Sequence, residues 1–159
     1  MRFLFIDRIS EFELSRRAVG TKFLSNMDEY LPEHYALKPV APPTLILEGM
    51  AQLAGWLHVA SCEFRVETVL GLVQGARFFR PVGPGDHLTI EVELVGAHRD
   101  GAELKGAARV GEEVVAEVDR LMFISGRTDR EDYPERGRRL LRYLAGDLPA
   151  LDLQALKEP

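Results

Sequence analysis

A proline-rich loop leads directly into a long apolar stretch, and this junction constrains the fold more than any other feature of the sequence. Pro39, Pro42 and Pro43 forbid a helix through the loop, yet proline in a first turn helps to start one. About four helical turns follow Thr44 without proline, with apolar residues on every side. Because a helix that is apolar all round is buried, we predict a central buried helix over about residues 44–62.

The predicted helix carries a carboxylate. Glu48 and Gln52 are four residues apart, so they share one face. A carboxylate on a buried helix is expected to have an ionic or hydrogen-bonding partner or a functional role, because desolvation penalises its charged form. From the helix alone two interpretations stay open: a structural Glu paired with an Arg or a backbone amide, and a functional acid. Glu48, Gln52 and His58 also make this short stretch a poor candidate for a membrane span.

Strand patterns lie on both sides of the helix in sequence. We predict a short strand over residues 2–9 and a longer one over residues 11–26, with a bulge or turn near Gly20. Further strands, separated by turns at Asp100-Gly101 and Gly111, are predicted at residues 66–79, 88–94, 102–110 and 114–125. Together these elements indicate an α+β fold in which a curved antiparallel sheet wraps around the central helix.

The composition is that of a globular protein and argues against several classes. The 159 residues, 46% of them hydrophobic, suit one domain. The net charge of −5 argues against nucleic acid as a partner. The single Cys62 excludes an internal disulfide, and no Cys/His cluster has zinc spacing, so no metal is expected. Strand-like sequence follows Met1 at once, which favours a cytoplasmic location.

A resemblance to a known family rests on the loop and the helix. A His in a proline-bounded loop, followed by a Pro-Val-x-Pro step and a helix with Glu and Gln, resembles the 3-hydroxyacyl-[acyl-carrier-protein] dehydratases of the hot-dog fold. In this chain the motif consists of His34, Pro39-Val40-Ala41-Pro42, Leu45-Ile46-Leu47-Glu48 and Ala51-Gln52-Leu53-Ala54-Gly55. Residues 5–9 and 76–86 resemble further blocks of the family, and the His-to-Glu spacing matches. The resemblance implies a hot-dog domain over residues 1–126.

Residues 127–159 lie outside the resemblance and form a C-terminal extension. Leu140, Leu141 and Leu144, with Tyr143, predict a short amphipathic helix that ends near Gly146. Its arginines either face solvent or meet an acidic carrier protein, and the solvated face is the favoured interpretation.

The resemblance implies a hydro-lyase that removes water from a 3-hydroxyacyl thioester to give the trans-2-enoyl product. His34 is then the candidate base for the C2 proton. Glu48 is the candidate acid for the leaving hydroxide, because apolar surroundings favour a protonated carboxyl. Gln52 would help to hold the departing water. In the family the His and Glu of one site come from different subunits, so at least a homodimer is implied. No cofactor is expected.

Other residues are candidates for binding the substrate and its carrier. Phe78 and Phe79 are candidate walls or gates of an apolar acyl tunnel, although core packing explains them equally well. The carrier is acyl-carrier protein or coenzyme A, and three basic residues are candidates for contacting it at the tunnel mouth: Lys38, Arg77 and Arg80.

Two departures from the family pattern keep other functions open. The family has Gly, whose amide binds the thioester carbonyl, where this chain has Pro43, which has no amide hydrogen. Activity is therefore reduced or altered unless a neighbour such as Thr44 supplies the donor, since losing one such donor costs about 10²–10³ in rate. The loop His34-Tyr35-Ala36-Leu37 also differs from the family's His-Phe-Pro-Gly. The alternatives are a catalytically weak partner of another enzyme, and a hot-dog thioesterase or acyl-binding protein.

Overall fold

The computed structural model describes residues 4–28, 39–98 and 100–146, and within them one antiparallel sheet packs on one long helix. The strands are β1 (Arg8–Glu13), β2 (Arg17–Phe23), β3 (Val66–Phe78), β4 (His87–His98), β5 (Gly101–Val110) and β6 (Glu113–Arg127). The helices are α1 (Pro43–Ser61) and α2 (Tyr133–Ala145). The sheet order is β1-β2-β4-β5-β6-β3, which confirms the predicted α+β hot-dog fold.

Helix α1 is the centre of the core, as predicted, and its ends fall within a residue of the predicted ones. It begins at Pro43, where a missing amide hydrogen is harmless, and Pro42 before it has an extended ψ of 129°. Its buried residues include Met50, Leu53 and Leu57, which lie against the inner face of the sheet. No helix in the described ranges is long and apolar enough to cross a membrane.

The first two strands differ from their prediction. A turn at residues 14–16 separates β1 from β2, so the single strand predicted over residues 11–26 is wrong. The predicted irregularity near Gly20 lies instead in the partner strand, between Ile9 and Glu11. Gly20 itself sits inside β2, where a Cβ would lie only 3.1 Å from Cγ2 of Ile6.

The later strands follow the prediction closely. Strand β3 covers the predicted residues 66–79 to within one position. Strand β4 alternates buried and half-buried side chains through Leu88, Ile90 and Val92. Gly111, at a φ of 57°, forms the turn between β5 and β6, a conformation that glycine adopts without strain.

Strand β3 forms one edge of the sheet. It is 13 residues long and pairs with β6 on one side, while no other described strand pairs with its outer side. Apolar side chains on β3 and the neighbouring β6 are exposed in the single chain: Val69, Leu72, Val73, Phe78, Met122 and Ile124. A long edge of this kind offers both unpaired backbone groups and apolar surface.

Helix α2 belongs to the C-terminal extension and packs against the same core. Gly146 follows its last residue at a φ of 56°. Leu141 and Leu144 are fully buried in the core cluster, and Leu140 packs against it. Tyr143, which the sequence pattern groups with these leucines, is 77% exposed and lies on the solvent side. The domain boundary near residue 126 stays a prediction.

Candidate active site

Helix α1 presents Glu48 and Gln52 from one face, as their spacing predicts, and the two side chains are hydrogen-bonded. Gln52 Nε2 donates to Glu48 Oε1 at 2.8 Å, and Gln52 Oε1 accepts from the backbone N–H of Phe5 at 3.0 Å. Because the Phe5 amide can only donate, it fixes the Gln52 oxygen on its own side and turns the amide nitrogen towards Glu48. The Glu48 carboxyl group therefore has a set orientation.

Glu48 is half-buried and is not part of a structural ion pair in the described part of the chain. No Arg, Lys or His among residues 4–28, 39–98 and 100–146 lies within salt-bridge distance of it. Within the same residues its second oxygen, Oε2, has no hydrogen-bond partner. Among these residues, the structural interpretation, a Glu paired with an Arg or a backbone amide, thus has no support. Within them, one carboxyl oxygen is held by Gln52, and the other is left for a bound molecule.

A cavity of about 290 Å³ lies beside this carboxyl group. Glu48, Gln52 and Thr68 supply its polar side chains, and the rest of the wall is mainly apolar. The other lining residues are Ala51, Gly55, Trp56, Val59, Leu70, Phe123 and Tyr133. An apolar cavity with a few polar groups is suited to a molecule with a polar head and a hydrocarbon chain.

His58 supports the wall of the cavity from behind. Its side chain is 3% exposed, and its Nε2 lies 2.7 Å from Ser125 Oγ, which donates in turn to Thr68 Oγ1 at 3.3 Å. Burial lowers the pKa of His58 below 6.5, so the imidazole is neutral at pH 7. Burial also raises the pKa of the nearby Cys62 thiol, which keeps it protonated and unreactive.

Phe78 and Phe79 do not line the cavity beside Glu48 in the single chain. They lie at the end of β3 and just beyond it, and are 39% and 55% exposed. Their assignment as tunnel residues stays a prediction.

The basic candidates Arg77 and Arg80 lie near that end of β3 and are held by acidic neighbours. The guanidinium of Arg77 donates two hydrogen bonds to Asp119, at 2.6 and 2.7 Å, and one to Glu117. These contacts, chiefly those with Asp119, raise the pKa of Arg77. Arg80 donates to Glu113 at 2.7 Å.

The remaining predicted site residues are His34, Lys38, Pro43 and Thr44. His34 and Lys38 lie outside the described residues. Pro43 and Thr44 are exposed at the start of α1, which has no side-chain cap. Thr44 lies four residues before Glu48, so it is on the same side of the helix.

Among the cavity residues that were not predicted from the sequence are Trp56 and Tyr133. Trp56 continues the spacing of Glu48 and Gln52 by another four residues, and this signal was available in the sequence. Tyr133 begins α2, far along the chain, and no local pattern connects it with α1.

Comparisons with known proteins agree with the fold and with the motif. A family model described as a FabA-like domain matches residues 1–119. A 3-hydroxyacyl-[acyl-carrier-protein] dehydratase FabZ from Symbiobacterium thermophilum is 43% identical over 118 residues, 73% of this chain and 82% of that relative. The FabZ from Anaeromyxobacter dehalogenans is 40% identical over 136 residues, 81% of this chain and 83% of the relative.

Solved structures share the fold at low sequence identity. A Streptococcus mutans protein bound to acetyl CoA superposes with a TM-score of 0.62 and 15% identity, covering 82% of this chain and 96% of that one. A hypothetical thioesterase with coenzyme A from Streptococcus pneumoniae gives a TM-score of 0.59 and 17% identity, covering 77% and 88%. At these identities the likeness concerns the fold alone.

Proposed function

The chain belongs to the FabA-like domain family, and from that membership we propose that it is a 3-hydroxyacyl-[acyl-carrier-protein] dehydratase of fatty-acid or related lipid biosynthesis. The FabZ relatives, about 40% identical over most of this chain, support that activity. The observation that carries the proposal is the position of the Glu48 carboxyl group at the wall of an apolar cavity. Gln52 orients this group, and no Arg, Lys or His among the described residues pairs with it.

The proposed reaction needs a base at C2 and an acid at C3. His34 removes the proton from C2, and the electron pair of that C–H bond forms the C2=C3 double bond. The C3–O bond breaks, and Glu48 gives its proton to the leaving hydroxide, which departs as water. Gln52, already hydrogen-bonded to Glu48, holds that water. The assignment of His34 rests on the family motif alone.

The thioester carbonyl also needs a hydrogen-bond donor, and we propose the backbone N–H of Thr44 for this task. Pro43 occupies the family's Gly position and offers none. The Thr44 amide lies in the first turn of α1, where N–H groups lack partners within the helix and the helix dipole is positive. Such a donor stabilises the negative charge that develops on the thioester oxygen.

We propose that the active form is a homodimer joined along the outer side of β3. The outer side of this 13-residue strand pairs with no other strand that the structure describes, and together with its exposed apolar neighbours it supports a second copy as the occupant. Val69 and Ile124, which are paired across β3 and β6, are 69% and 65% exposed and would be covered there. In this family a dimer brings the His of one subunit to the Glu of the other.

We propose acyl-carrier protein as the carrier of the substrate, in the cytosol. Lys38, Arg77 and Arg80 remain the candidates for contacting this acidic partner. The ion pairs of Arg77 and Arg80 are at the surface, where such pairs are worth little, so a phosphate or carboxylate of the carrier can replace them.

An assay of dehydration tests the activity and its two catalytic residues. Purified protein is incubated with a 3-hydroxyacyl-carrier substrate, and the enoyl product is followed. We expect E48Q and H34A to lower kcat by about 10²–10⁴, and E112Q, at an exposed turn, to leave it unchanged. Release of free acid in place of enoyl product would show a thioesterase, and no product at all would favour a catalytically weak partner.

Mixing the two inactive variants tests whether each site is shared between subunits. In a heterodimer of H34A and E48Q, one shared site has both mutations and the other has none. With random pairing, about a quarter of wild-type activity should return. If each site lies within one subunit, every site carries a mutation and no activity returns.

A further inference from the structure

The C-terminal extension reaches the candidate active site. The family model ends at residue 119, whereas Tyr133, the first residue of α2, lines the same cavity as Glu48. Tyr133 is half-buried and packs against the core cluster. Burial, and then the negative charge of Glu67, raise the pKa of its phenol, so the side chain stays neutral.

The segment before α2 fixes where that helix begins. The hydroxyl of Thr128 donates to Glu67 Oε1 at 2.7 Å, and the backbone N–H of Thr128 donates to Arg65 O at 3.2 Å. These bonds tie the end of β6 to the start of β3. The N–H of Tyr133 then donates to Arg130 O at 3.1 Å and closes the turn into α2.

Helix α2 itself is docked through a close approach of Gly137 to Phe64. A Cβ on Gly137 would lie 2.6 Å from Cδ1 of Phe64, so only glycine fits there. The guanidinium carbon of Arg138 lies 5.7 Å from the centre of the same ring. With Leu141 and Leu144 buried behind it, the helix holds Tyr133 in one place.

Tyr133 and Trp56 together separate two cavities. Both residues line the cavity beside Glu48, and both also line a second one of about 140 Å³. The second cavity is also lined by Gly137 and Leu140 of α2 and, towards solvent, by the exposed Arg130 and Arg136. Along α1 the distance from Glu48 to Trp56 is about 12 Å at the helical rise per residue. The wall of the first cavity continues to Val59, about one turn beyond Trp56, so the partition lies in the distal half of that cavity.

We propose that Tyr133 is a specificity-determining residue that narrows the distal half of the acyl cavity and limits the length of the acyl chain. The inference rests on the proposed dehydratase function, since the acyl chain is the occupant of the cavity. A chain attached at the Glu48 end runs along α1 past Gln52 and meets the Tyr133 ring in the distal half of the cavity. The extension, which lies outside the family match, thus adds a selectivity element to a shared reaction.

The test compares chain-length profiles of full-length variants. Dehydration is measured for wild type, Y133A, Y133L and the control Y143A, on 3-hydroxyacyl-carrier substrates of graded length. Removing the ring opens the second cavity, and two extra buried methylenes are worth roughly tenfold in kcat/KM. We expect Y133A and Y133L to raise kcat/KM roughly tenfold for the shortest chain that wild type rejects, with short chains unaffected. Y143A, altered on the exposed side of the same helix, should keep the wild-type profile.

A binding measurement separates this inference from the proposed function. Titration of free fatty acids of the same lengths gives the longest chain that each variant binds, without any reaction. A shift to longer acids in Y133A and Y133L supports this role of Tyr133 even if no variant dehydrates, an outcome that would refute only the proposed activity. Unchanged binding and unchanged kinetic profiles in folded Y133L would overturn the inference and leave the activity intact.

Discussion

Replacing Gly137 by Ala should loosen the docking of α2 although alanine is the better helix former. A Gly-to-Ala change inside a helix ordinarily gains about 0.5–1 kcal/mol. Here the new methyl group would lie 2.6 Å from Cδ1 and 3.0 Å from Cε1 of Phe64, a fully buried ring. Overpacking of this kind costs about 1–3 kcal/mol. The midpoints of these two ranges leave a net loss of about 1.2 kcal/mol for G137A, or roughly 2–5 °C in melting temperature.

Thermal unfolding and limited trypsin digestion together measure this effect. Helix α2 contains four arginines, so its release exposes several cleavage sites and the extension should be lost first. The matched control is E135A, on the exposed side of the same helix, which we expect to change stability by less than about 0.5 kcal/mol. If G137A melts at or above the wild-type temperature and resists trypsin equally, the close contact with Phe64 does not hold the helix.

Three further predictions concern α1 and the sheet edge. P43A restores an N–H at the family's Gly position. If the Thr44 amide already donates to the thioester carbonyl, kcat should change by less than about threefold. A rise in kcat of about 10²–10³ would contradict that role of Thr44. Because the pKa of His58 is lowered in the folded protein, the unfolded chain binds a proton first as the pH falls below 6.5. The free energy of unfolding should therefore be at its full value above pH 6.5 and fall by up to about 1.4 kcal/mol per pH unit below it. H58N should lack this slope. By light scattering, V69D on β3 should have the mass of a monomer. The control V95D, at an exposed position of β4, should keep the wild-type mass. An unchanged mass for V69D would exclude the proposed interface.

The features that the sequence predicts well are those that neighbouring residues determine. The bounds of α1 follow from Pro43 at one end and from a long stretch of apolar residues. The hydrogen bond between Gln52 and Glu48 follows from the helical period. The strand patterns after α1 are equally local, because alternation and glycine turns define them. The family motif adds the chemistry that such patterns alone leave open.

Features that depend on distant contacts were missed. The turn between β1 and β2 has Ser15 at a φ of 59°, a conformation more typical of glycine or asparagine. The N–H of Ser15 donates to Ser61 Oγ at 2.7 Å, so the end of α1 supports this turn. In the same way Tyr133 reaches the cavity only because Gly137 packs on Phe64. The two residues of each contact lie too far apart in the sequence for a local pattern to connect them.

The outer side of β3, which no other described strand covers, has a consequence for a newly made chain. Until its amides and apolar side chains are covered, they can pair with a free strand, and such edges are where aggregation begins. In the proposed dimer, assembly would be tied to folding, and stability would depend on the protein concentration. The melting temperature should rise with protein concentration, and dilution should shorten the half-life of the folded protein.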